Sequence, residues 1–331
     1  MNPDAVKAGA RAVLLRAAVL LLWGAAPAFA DAFEFAAIGD VPYSEADSLR
    51  FLRLRDRINA EDLAFVLHVG DIKGGSSSCA DEALESRLEL FSTFRHPFVL
   101  TPGDNDWTDC HRPGPGFREP LERLAKLRAL FFTPPGRVLG GGSLSVVSQA
   151  ADPALAEFPE NVRWSRGGVV FATLHLVGSS NATAPFPMRT PADDAEVTRR
   201  TEAAVAWMRQ AFEAAAESDA AGVMIAIHAN PRFERHQGAD PPEPYTGFIE
   251  ALSAETSAFA RPVLLVHGDA HYFRIDKPLL GPVSRRRLDN FTRLEVFGSP
   301  HLHWVRVQVD AADPQVFRFR QEIVPEHLQL D

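Results

Sequence analysis

The chain has 331 residues, of which 46% are hydrophobic, and a formal charge of −9 at pH 7. This length and hydrophobic content allow a large buried core, in one large domain or in two. An acidic chain has no general electrostatic attraction to nucleic acid or to anionic membranes, so we expect no nucleic-acid partner. The composition does not determine the oligomeric state.

The first 30 residues have the pattern of a secretory signal peptide. Basic residues precede a short apolar run, residues 17–26, and Ala28-Phe29-Ala30 has the A-x-A form of a cleavage site. The run is too short to span a bilayer, although an uncleaved anchor is the alternative. We therefore predict a periplasmic or secreted protein with one mature domain, residues 31–331, and no membrane span after cleavage. Its formal charge is −11, because the leader contains three basic residues and one acidic residue.

Strands and helices alternate at the start of the mature chain. Apolar periodicity predicts strands at residues 33–38, 63–69 and 97–101, and helices at residues 44–60 and 80–94. Ser44, with Asp47 three residues later, has the pattern of a capping box that begins the first helix. This order indicates parallel strands joined by crossover helices.

The centre of the chain mixes helices with short strands. We predict a helix at residues 121–132, a turn at 133–142, and strands at 144–147, 162–165 and 169–176. Arg166-Gly167 joins the last two strands as a hairpin. Thr190 precedes Pro191 as an N-cap, and the helix that begins there is predicted to reach about residue 216.

The last third contains two more apolar strands, followed by segments of alternating polarity. We predict strands at residues 223–227 and 263–266, a helix at 248–259, and a polar, proline-rich loop at 230–244. The remaining part, residues 272–324, alternates apolar and polar residues in short runs. Such alternation predicts an antiparallel group of strands.

Five of the predicted strands end on an aspartate or a histidine. Asp71 is central, because a buried strand stops at Gly70 and glycine lets the backbone turn sharply there. The other four strands end at Asp40, at Asp104, at His228 and at Gly268-Asp269-Ala270-His271. Open α/β sheets bind ligands along the carboxyl ends of their strands. The pattern therefore predicts a metal site at this edge of the sheet.

The two cysteines, Cys79 and Cys110, both follow strand ends closely. Cys79 lies eight residues after Asp71, and Cys110 lies six residues after Asp104. Because export permits disulfide bonds, we predict a bridge between the two cysteines. Two free, buried thiols are the alternative.

The order of these strand ends is similar to that of a known enzyme family. The segments Asp40, Gly70-Asp71, Gly103-Asp104-Asn105-Asp106, His228 and Gly268-Asp269-Ala270-His271 resemble the motifs of the calcineurin-like metallophosphoesterases. The family pattern is D-x-H, G-D, G-N-H-[D/E], a lone His and G-H-x-H, and the resemblance spans residues 33–273. It implies an α/β fold: a four-layer α/β/β/α sandwich of two mixed sheets flanked by helices.

The resemblance also implies two metal ions. Asp71 would bridge both ions. Asp40 and His271 would complete one site, and the other would be completed by Asp104, His228 and Asp269.

The first motif departs from the family pattern, because Pro42 replaces its histidine and cannot bind a metal. Tyr43 follows, and Gly39-Asp40-Val41-Pro42-Tyr43 resembles the G-D-x-x-Y motif of the purple acid phosphatases, in which the tyrosine binds ferric iron. There the tyrosine follows the bridging aspartate instead of the first one. Tyr43 is therefore a further candidate ligand, and plain packing is the alternative.

Two other motifs also differ from the family. Asp104 aligns with the metal-binding Asn, although a shift of one residue would make Asn105 the ligand. Without that shift, Asn105 takes the place of the His that stabilises the phosphoryl group or protonates the leaving group. Asn105 is thus a candidate catalytic residue, with Asp106 or His111 as a substitute acid. Asp269 replaces a His ligand.

These replacements increase the number of carboxylates at the expected metal site. Oxygen-rich sites suit Mg²⁺ or Mn²⁺, whereas imidazole suits Zn²⁺ and Fe, so the identity of the two divalent ions stays open among Mn, Mg, Fe and Zn. Two ions of this kind would bind the phosphoryl oxygens and lower the pKa of a shared water.

The sequence therefore predicts an exported, metal-dependent phosphoesterase. Its expected partner is a small-molecule phosphomonoester or phosphodiester, hydrolysed by a metal-activated hydroxide at a two-metal site. The alternative is a non-catalytic or weakly active member of the same fold that binds metal or phosphate, because Pro42 and Asn105 replace residues of the family enzymes. A serine hydrolase is not supported, because the sequence has no G-x-S-x-G motif.

Overall fold

The structure, a computed structural model, describes residues 31–235 and 243–328. The expected signal peptide, residues 1–30, lies outside these ranges. Within them, no helix has the length and apolar character needed to cross a membrane. The described chain forms two mixed β-sheets that pack face to face.

The first sheet has six strands in the order β13-β12-β1-β2-β3-β4. Its members are β1 (Phe33–Ile38), β2 (Val66–His68), β3 (Pro97–Leu100), β4 (Leu139–Gly140), β12 (Trp304–Val309) and β13 (Phe317–Glu322). Strands β1, β2 and β3 are parallel, as the alternation of strands and helices predicted. The crossover helices are α1 (Glu45–Asn59) and α2 (Asp81–Ser92). The hydroxyl of Ser44 caps α1 by accepting the backbone N–H of Asp47, as predicted.

The second sheet has seven strands in the order β10-β11-β9-β8-β7-β6-β5. Its members are β5 (Val147–Ser148), β6 (Val162–Arg166), β7 (Val169–Thr173), β8 (Gly222–Ala226), β9 (Val263–His267), β10 (Arg274–Asp276) and β11 (Phe291–Glu295). Strands β7, β8 and β9 are parallel neighbours. The predicted hairpin between β6 and β7 is present.

The remaining helices lie between and after these strands. They are α3 (Pro120–Phe131), the short turn α4 (Gly178–Asn181), α5 (Pro191–Glu217) and α6 (Thr246–Phe259), with 3₁₀ turns at Thr108–His111, Gln149–Ala151, Pro153–Leu155 and Pro325–His327. A capping box between Thr190 and Asp193 begins α5, as the sequence predicted.

Alternating side chains of the strands divide the core into three layers. In β1, Phe35 and Ala37 pack between the two sheets, together with Phe171 and Met224 of the second sheet. Residues of the opposite face of β1, such as Ile38, pack against α1, α2 and α3. Helices α5 and α6 cover the outer face of the second sheet in the same way. The predicted four-layer α/β/β/α sandwich is confirmed.

The carboxyl-terminal strands differ from the predicted antiparallel group. Strand β11 pairs with β9 in parallel and with β10 in the antiparallel direction, so it belongs to the second sheet. Strands β12 and β13 instead extend the first sheet, where β12 is antiparallel to β1. The predicted turn at residues 133–142 contains the edge strand β4. Alternating polarity identifies strands, but it carries no information on which distant strand each one pairs with.

Candidate metal centre

Five strand ends bring carboxylates and imidazoles together at one edge of the sandwich. The ligating atoms of Asp40, Asp71 and His228 lie within 4.8 Å of one another, and the same holds for Asp104, His228 and Asp269. His228 Nε2 lies 2.9 Å from Asp104 Oδ1 and 3.4 Å from Asp71 Oδ1. His228 thus belongs to both groups, and it lies beside Asp71, which the sequence predicts as the bridge between two ions.

Both imidazoles at this edge are held by backbone carbonyls. Nδ1 of His228 lies 2.8 Å from the carbonyl oxygen of Val69, and Nδ1 of His271 lies 2.7 Å from that of Ser299. A carbonyl only accepts, so each Nδ1 carries the hydrogen atom and each Nε2 faces the carboxylates. Metal-binding histidines have this arrangement, because the second nitrogen atom fixes the orientation of the ring.

The hydroxyl of Tyr43 lies inside the first group of ligands. Its oxygen is 2.6 Å from Asp71 Oδ2, 2.9 Å from His271 Nε2 and 3.5 Å from Asp40 Oδ1. The rings of Tyr43 and His271 meet edge to face, with centroids 5.0 Å apart. The geometry therefore places Tyr43 with Asp40, Asp71 and His271 as a potential oxygen ligand.

The charges at this edge are unbalanced without a cation. Burial raises the pKa of Asp71 well above its ordinary value, and Asp104 and Asp40 add to this shift. Burial also raises the pKa of Asp269 to about 6. Burial acts in the opposite direction on His228, but the carboxylates of Asp71 and Asp104 outweigh it and raise the pKa of His228. A divalent cation relieves this repulsion, so the donor set fits metal ions.

Four of the candidate ligands have left-handed backbone conformations. The φ angles are 55° at Asp40, 58° at Asp71, 76° at Asp269 and 57° at His271. This region of the Ramachandran map is uncommon for residues other than glycine, and each such residue costs on the order of 1–3 kcal/mol. Strain of this kind is concentrated at functional sites, because it persists only where the surrounding structure enforces it.

Two neighbouring residues of the third motif have different environments. The backbone N–H of Asn105 donates to Asp71 Oδ1 at 3.0 Å, and its side-chain amide donates to Asp71 Oδ2 and to Tyr43 Oη. Asp106 is fully buried, and its carboxylate accepts backbone N–H groups from Gly103, Ile72 and Asp71. Asn105 thus lies at the metal centre. Asp106 links the loop that follows β2 to the loop that follows β3 through these hydrogen bonds.

His111 lies outside both ligand groups. Its Nδ1 is 2.7 Å from the carbonyl oxygen of Thr108, and its ring stacks on Phe186 with centroids 4.4 Å apart. The structure therefore anchors this imidazole on a neighbouring aromatic ring.

The predicted disulfide between Cys79 and Cys110 is present, with a Cα–Cα distance of 5.8 Å. Both sulfur atoms lie beside the carbonyl oxygen of Asn105, at 4.0 Å and 3.9 Å. The bridge thus packs directly under the loop that carries Asn105.

Sequence reasoning did not identify the turn α4 as part of the site. Ser179 Oγ lies 2.8 Å from both Asp104 Oδ2 and Asp109 Oδ1. A Cβ atom at Gly178 would lie 2.5 Å from Asp269 Oδ1 and 2.6 Å from Asp104 Oδ1, so only glycine fits there. A similar signal was present in the sequence, because the largely apolar run that begins at Val169 stops at Gly178.

No protein-family model and no curated protein matches the chain. Among solved structures, one entitled "Structure of PhoD" matches with a TM-score of 0.52 and 12% identity over 86% of this chain and 65% of that one. Structures of Vps29 from Entamoeba histolytica and Cryptosporidium parvum match at TM-scores of 0.31 and 0.30, with 11% and 12% identity. They cover 87% and 88% of this chain, and 97% of each Vps29 chain is covered. The chain thus spans about two thirds of the PhoD chain, and its fold is similar to that of PhoD.

Proposed function

We propose that this chain is an exported, metal-dependent phosphoesterase that hydrolyses small-molecule phosphate esters at a two-metal site. The observation that carries the proposal is the pair of overlapping carboxylate–imidazole groups that share His228. The order of the strand-end motifs, which resembles that of the calcineurin-like metallophosphoesterases, supports it. The fold, which is similar to that of PhoD, supports the proposed arrangement of these motifs.

We assign the ligands by the motif resemblance, and the contacts of Tyr43 with Asp71 and His271 and of His228 with Asp104 support this assignment. Asp40, Tyr43 and His271 would serve one ion, Asp104, His228 and Asp269 the other, and Asp71 both. Bound divalent ions would supply positive charge for the phosphoryl oxygens and lower the pKa of a coordinated water. The backbone carbonyls behind His228 and His271 keep both rings oriented for this role.

Asn105 is the candidate for contact with the substrate. Its side-chain amide donates to Asp71 and Tyr43, whose oxygen atoms would bind the metal ions. The amide is then available to donate to a phosphoryl oxygen and hold it in place. An amide N–H is too weak an acid to protonate a leaving group, so catalysis would depend on leaving groups that need little protonation.

A second candidate function is metal or phosphate binding without turnover. It is favoured by Pro42 and Asn105, which replace two of the histidines of the family pattern. The position of His111 also favours it, because its ring stacks on Phe186 and is not part of either ligand group.

Metal analysis combined with an activity panel distinguishes the two candidates. The purified protein is loaded with Mn²⁺, Zn²⁺ or Fe³⁺ and tested on phosphomonoesters and phosphodiesters, with a chelated sample as control. We expect two metal equivalents and hydrolysis that disappears on chelation. Bound metal without hydrolysis of any ester would favour the second candidate. The absence of metal binding would contradict the first candidate, and the absence of both metal and phosphate binding would contradict the second.

Export is tested separately from metal binding and hydrolysis. The predicted cleavage follows Ala30, so the mature protein should begin at Asp31. Mass spectrometry of the protein recovered from the periplasm or the medium measures this terminus. Recovery of the uncleaved chain in the cytoplasm alone would contradict export.

A further inference from the structure

Arg112 lies at the edge of the metal centre, in the loop that follows the disulfide. Its side chain is 44% exposed, and its Nη2 lies 2.7 Å from Asp109 Oδ2. The same nitrogen donates a hydrogen bond of 3.3 Å to Ser179 Oγ. Ser179 contacts the candidate ligand Asp104, so one hydroxyl group separates the guanidinium from the metal centre.

The other nitrogen atoms of this guanidinium are free to bind a ligand. Within residues 31–235 and 243–328, Nη1 and Nε of Arg112 make no hydrogen bond. Nη1 lies against the backbone of Gly75, where an added Cβ would be 3.1 Å from Nη1 and 2.7 Å from Asn105 Oδ1. The absence of a side chain at Gly75 therefore lets Nη1 of Arg112 and the amide of Asn105 both approach the same stretch of backbone.

The chemistry of this guanidinium suits a phosphate oxygen. Guanidinium groups bind such oxygens through strong, charge-assisted hydrogen bonds, and two hydrogen atoms of Nη1 are unused here. A phosphomonoester has three terminal oxygens on phosphorus, whereas a phosphodiester has two. Two ions at the proposed centre would bind two of these oxygens, so only a monoester has a third one left.

We propose that Arg112 binds the third terminal oxygen of a phosphomonoester and makes the site selective for monoesters over diesters. The proposal rests on the two-metal function proposed above, and it names the substrate class of that same site. Asp109 and Ser179 position the guanidinium, and the Cys79–Cys110 bridge holds the loop two residues before it.

A binding experiment tests Arg112 without relying on activity. Calorimetry on Mn²⁺-loaded protein measures the affinities for inorganic phosphate and for dimethyl phosphate, which lacks the third oxygen. Arg112→Ala should weaken phosphate binding by about 10-fold or more and leave dimethyl phosphate binding unchanged. Arg112→Lys should be intermediate, because it keeps the charge but not the planar fork. Arg118→Ala, an exposed arginine of the same loop, should bind both like the wild type.

Gly75→Ala is a second variant, because its methyl group would displace Nη1 of Arg112 and Oδ1 of Asn105 without removing a charge. It should weaken phosphate binding as Arg112→Ala does. Elemental analysis and thermal melting show whether each variant is folded and holds its metal. If Arg112→Ala loses metal, the phosphate affinities of Gly75→Ala and Arg112→Lys, compared with that of the wild type, decide whether Arg112 binds phosphate.

Three results would overturn the role of Arg112. The first is wild-type phosphate affinity in both Arg112→Ala and Gly75→Ala. The second is an equal loss of phosphate and dimethyl phosphate binding, and the third is no phosphate binding by the wild type. Hydrolysis of nitrophenyl phosphate and bis(nitrophenyl) phosphate by the wild type tests the phosphoesterase function separately. Hydrolysis of neither ester, with phosphate binding lost in Arg112→Ala, would refute the phosphoesterase and keep Arg112 as a phosphate ligand.

Discussion

The phenolic oxygen of Tyr43 lies 2.6 Å from Oδ2 of Asp71, so the side chain that follows the first strand meets the carboxylate that ends the second. In the metal-free protein, burial and then the charge of Asp71 raise the pKa of Tyr43 far above its ordinary value. A cation held by both oxygens would have the opposite effect, because it stabilises the phenolate.

Tyr43→Phe tests whether this oxygen binds metal. Wild-type protein loaded with Fe³⁺ should absorb visible light through charge transfer from tyrosinate to iron, and Tyr43→Phe should lose this band. Absorption spectroscopy measures the effect. Tyr272→Phe is the matched control, because Tyr272 directly follows His271 but is 67% exposed. A band that persists in Tyr43→Phe and disappears in Tyr272→Phe would contradict the assignment.

Asp71→Ala should lose both metal ions, because the proposed bridging carboxylate serves each of them. We expect a metal-to-protein ratio close to zero by elemental analysis, against two for the wild type. Asp289→Ala, an exposed aspartate away from the centre, should keep both ions. Retention of one metal equivalent in Asp71→Ala would show that Asp71 serves a single ion.

The leaving group should control the rate of hydrolysis, because Asn105 replaces the family's histidine and provides no acid. Nitrophenyl phosphate should be cleaved on the order of 100-fold or more faster than an alkyl phosphate, which is the usual contribution of a general acid. Steady-state kinetics with matched esters measures the ratio. Comparable rates for both esters would mean that another residue, such as His111 or Asp106, protonates the leaving group.

The disulfide should matter more for the metal centre than for the fold. Closing its loop removes about 3–4 kcal/mol of unfolded-state freedom, which a chain of this size does not need in order to fold. The bridge packs under Asn105, so Cys79→Ser should weaken metal affinity by about 10-fold while the metal-free protein stays folded. Metal titration and melting curves of the variant measure the two effects. Wild-type metal affinity in the variant would make the bridge irrelevant to the centre.

The contribution of Asp269 to the stability of the metal-free protein should fall as the pH rises. Burial raises the pKa of Asp269 to about 6, so the folded state holds its proton more tightly than the unfolded state does. The resulting stabilisation is complete below the ordinary pKa of an aspartate and is lost as the pH rises through about 6, at a cost of up to about 3 kcal/mol. The raised pKa of His228 acts in the same direction.

Denaturant unfolding in the presence of a chelator, from about pH 4 to about pH 7, measures this loss. Asp269→Asn has no titrating group and should show a weaker dependence on pH. Metal affinity of the wild type should change in the opposite sense and rise with pH, because the ligands bind as anions. Identical pH profiles for the two metal-free proteins would exclude Asp269 as the cause.

Features that depend on neighbouring residues could be predicted from the sequence. The caps at Ser44 and Thr190 are formed by side chains three residues apart, and the structure contains both. The ends of five strands follow from short apolar runs that stop on a polar residue, and the structure brings carboxylates and an imidazole from these ends together. Parallel pairing within each sheet then places the carboxyl ends of its strands at the same edge.

Features that depend on distant contacts could not be predicted. Strand β11 pairs with β9 instead of joining an antiparallel group, and nothing in its own residues encodes that partner. The left-handed turn at Ser179 and Ser180 is formed by residues that usually avoid positive φ, so only the surrounding packing explains it. The hydrogen bond of Arg112 to Ser179 also joins separate segments of the chain, so it could not be predicted either.

The left-handed conformations of Asp71 and His271 affect which substitutions at these two positions would stabilise the protein. Glycine at either position would relieve roughly 1–2 kcal/mol of backbone strain and at the same time remove a side chain that holds the metal. A library selected for thermal stability alone would therefore enrich glycine at these positions, and its most stable members would be those least able to bind an ion.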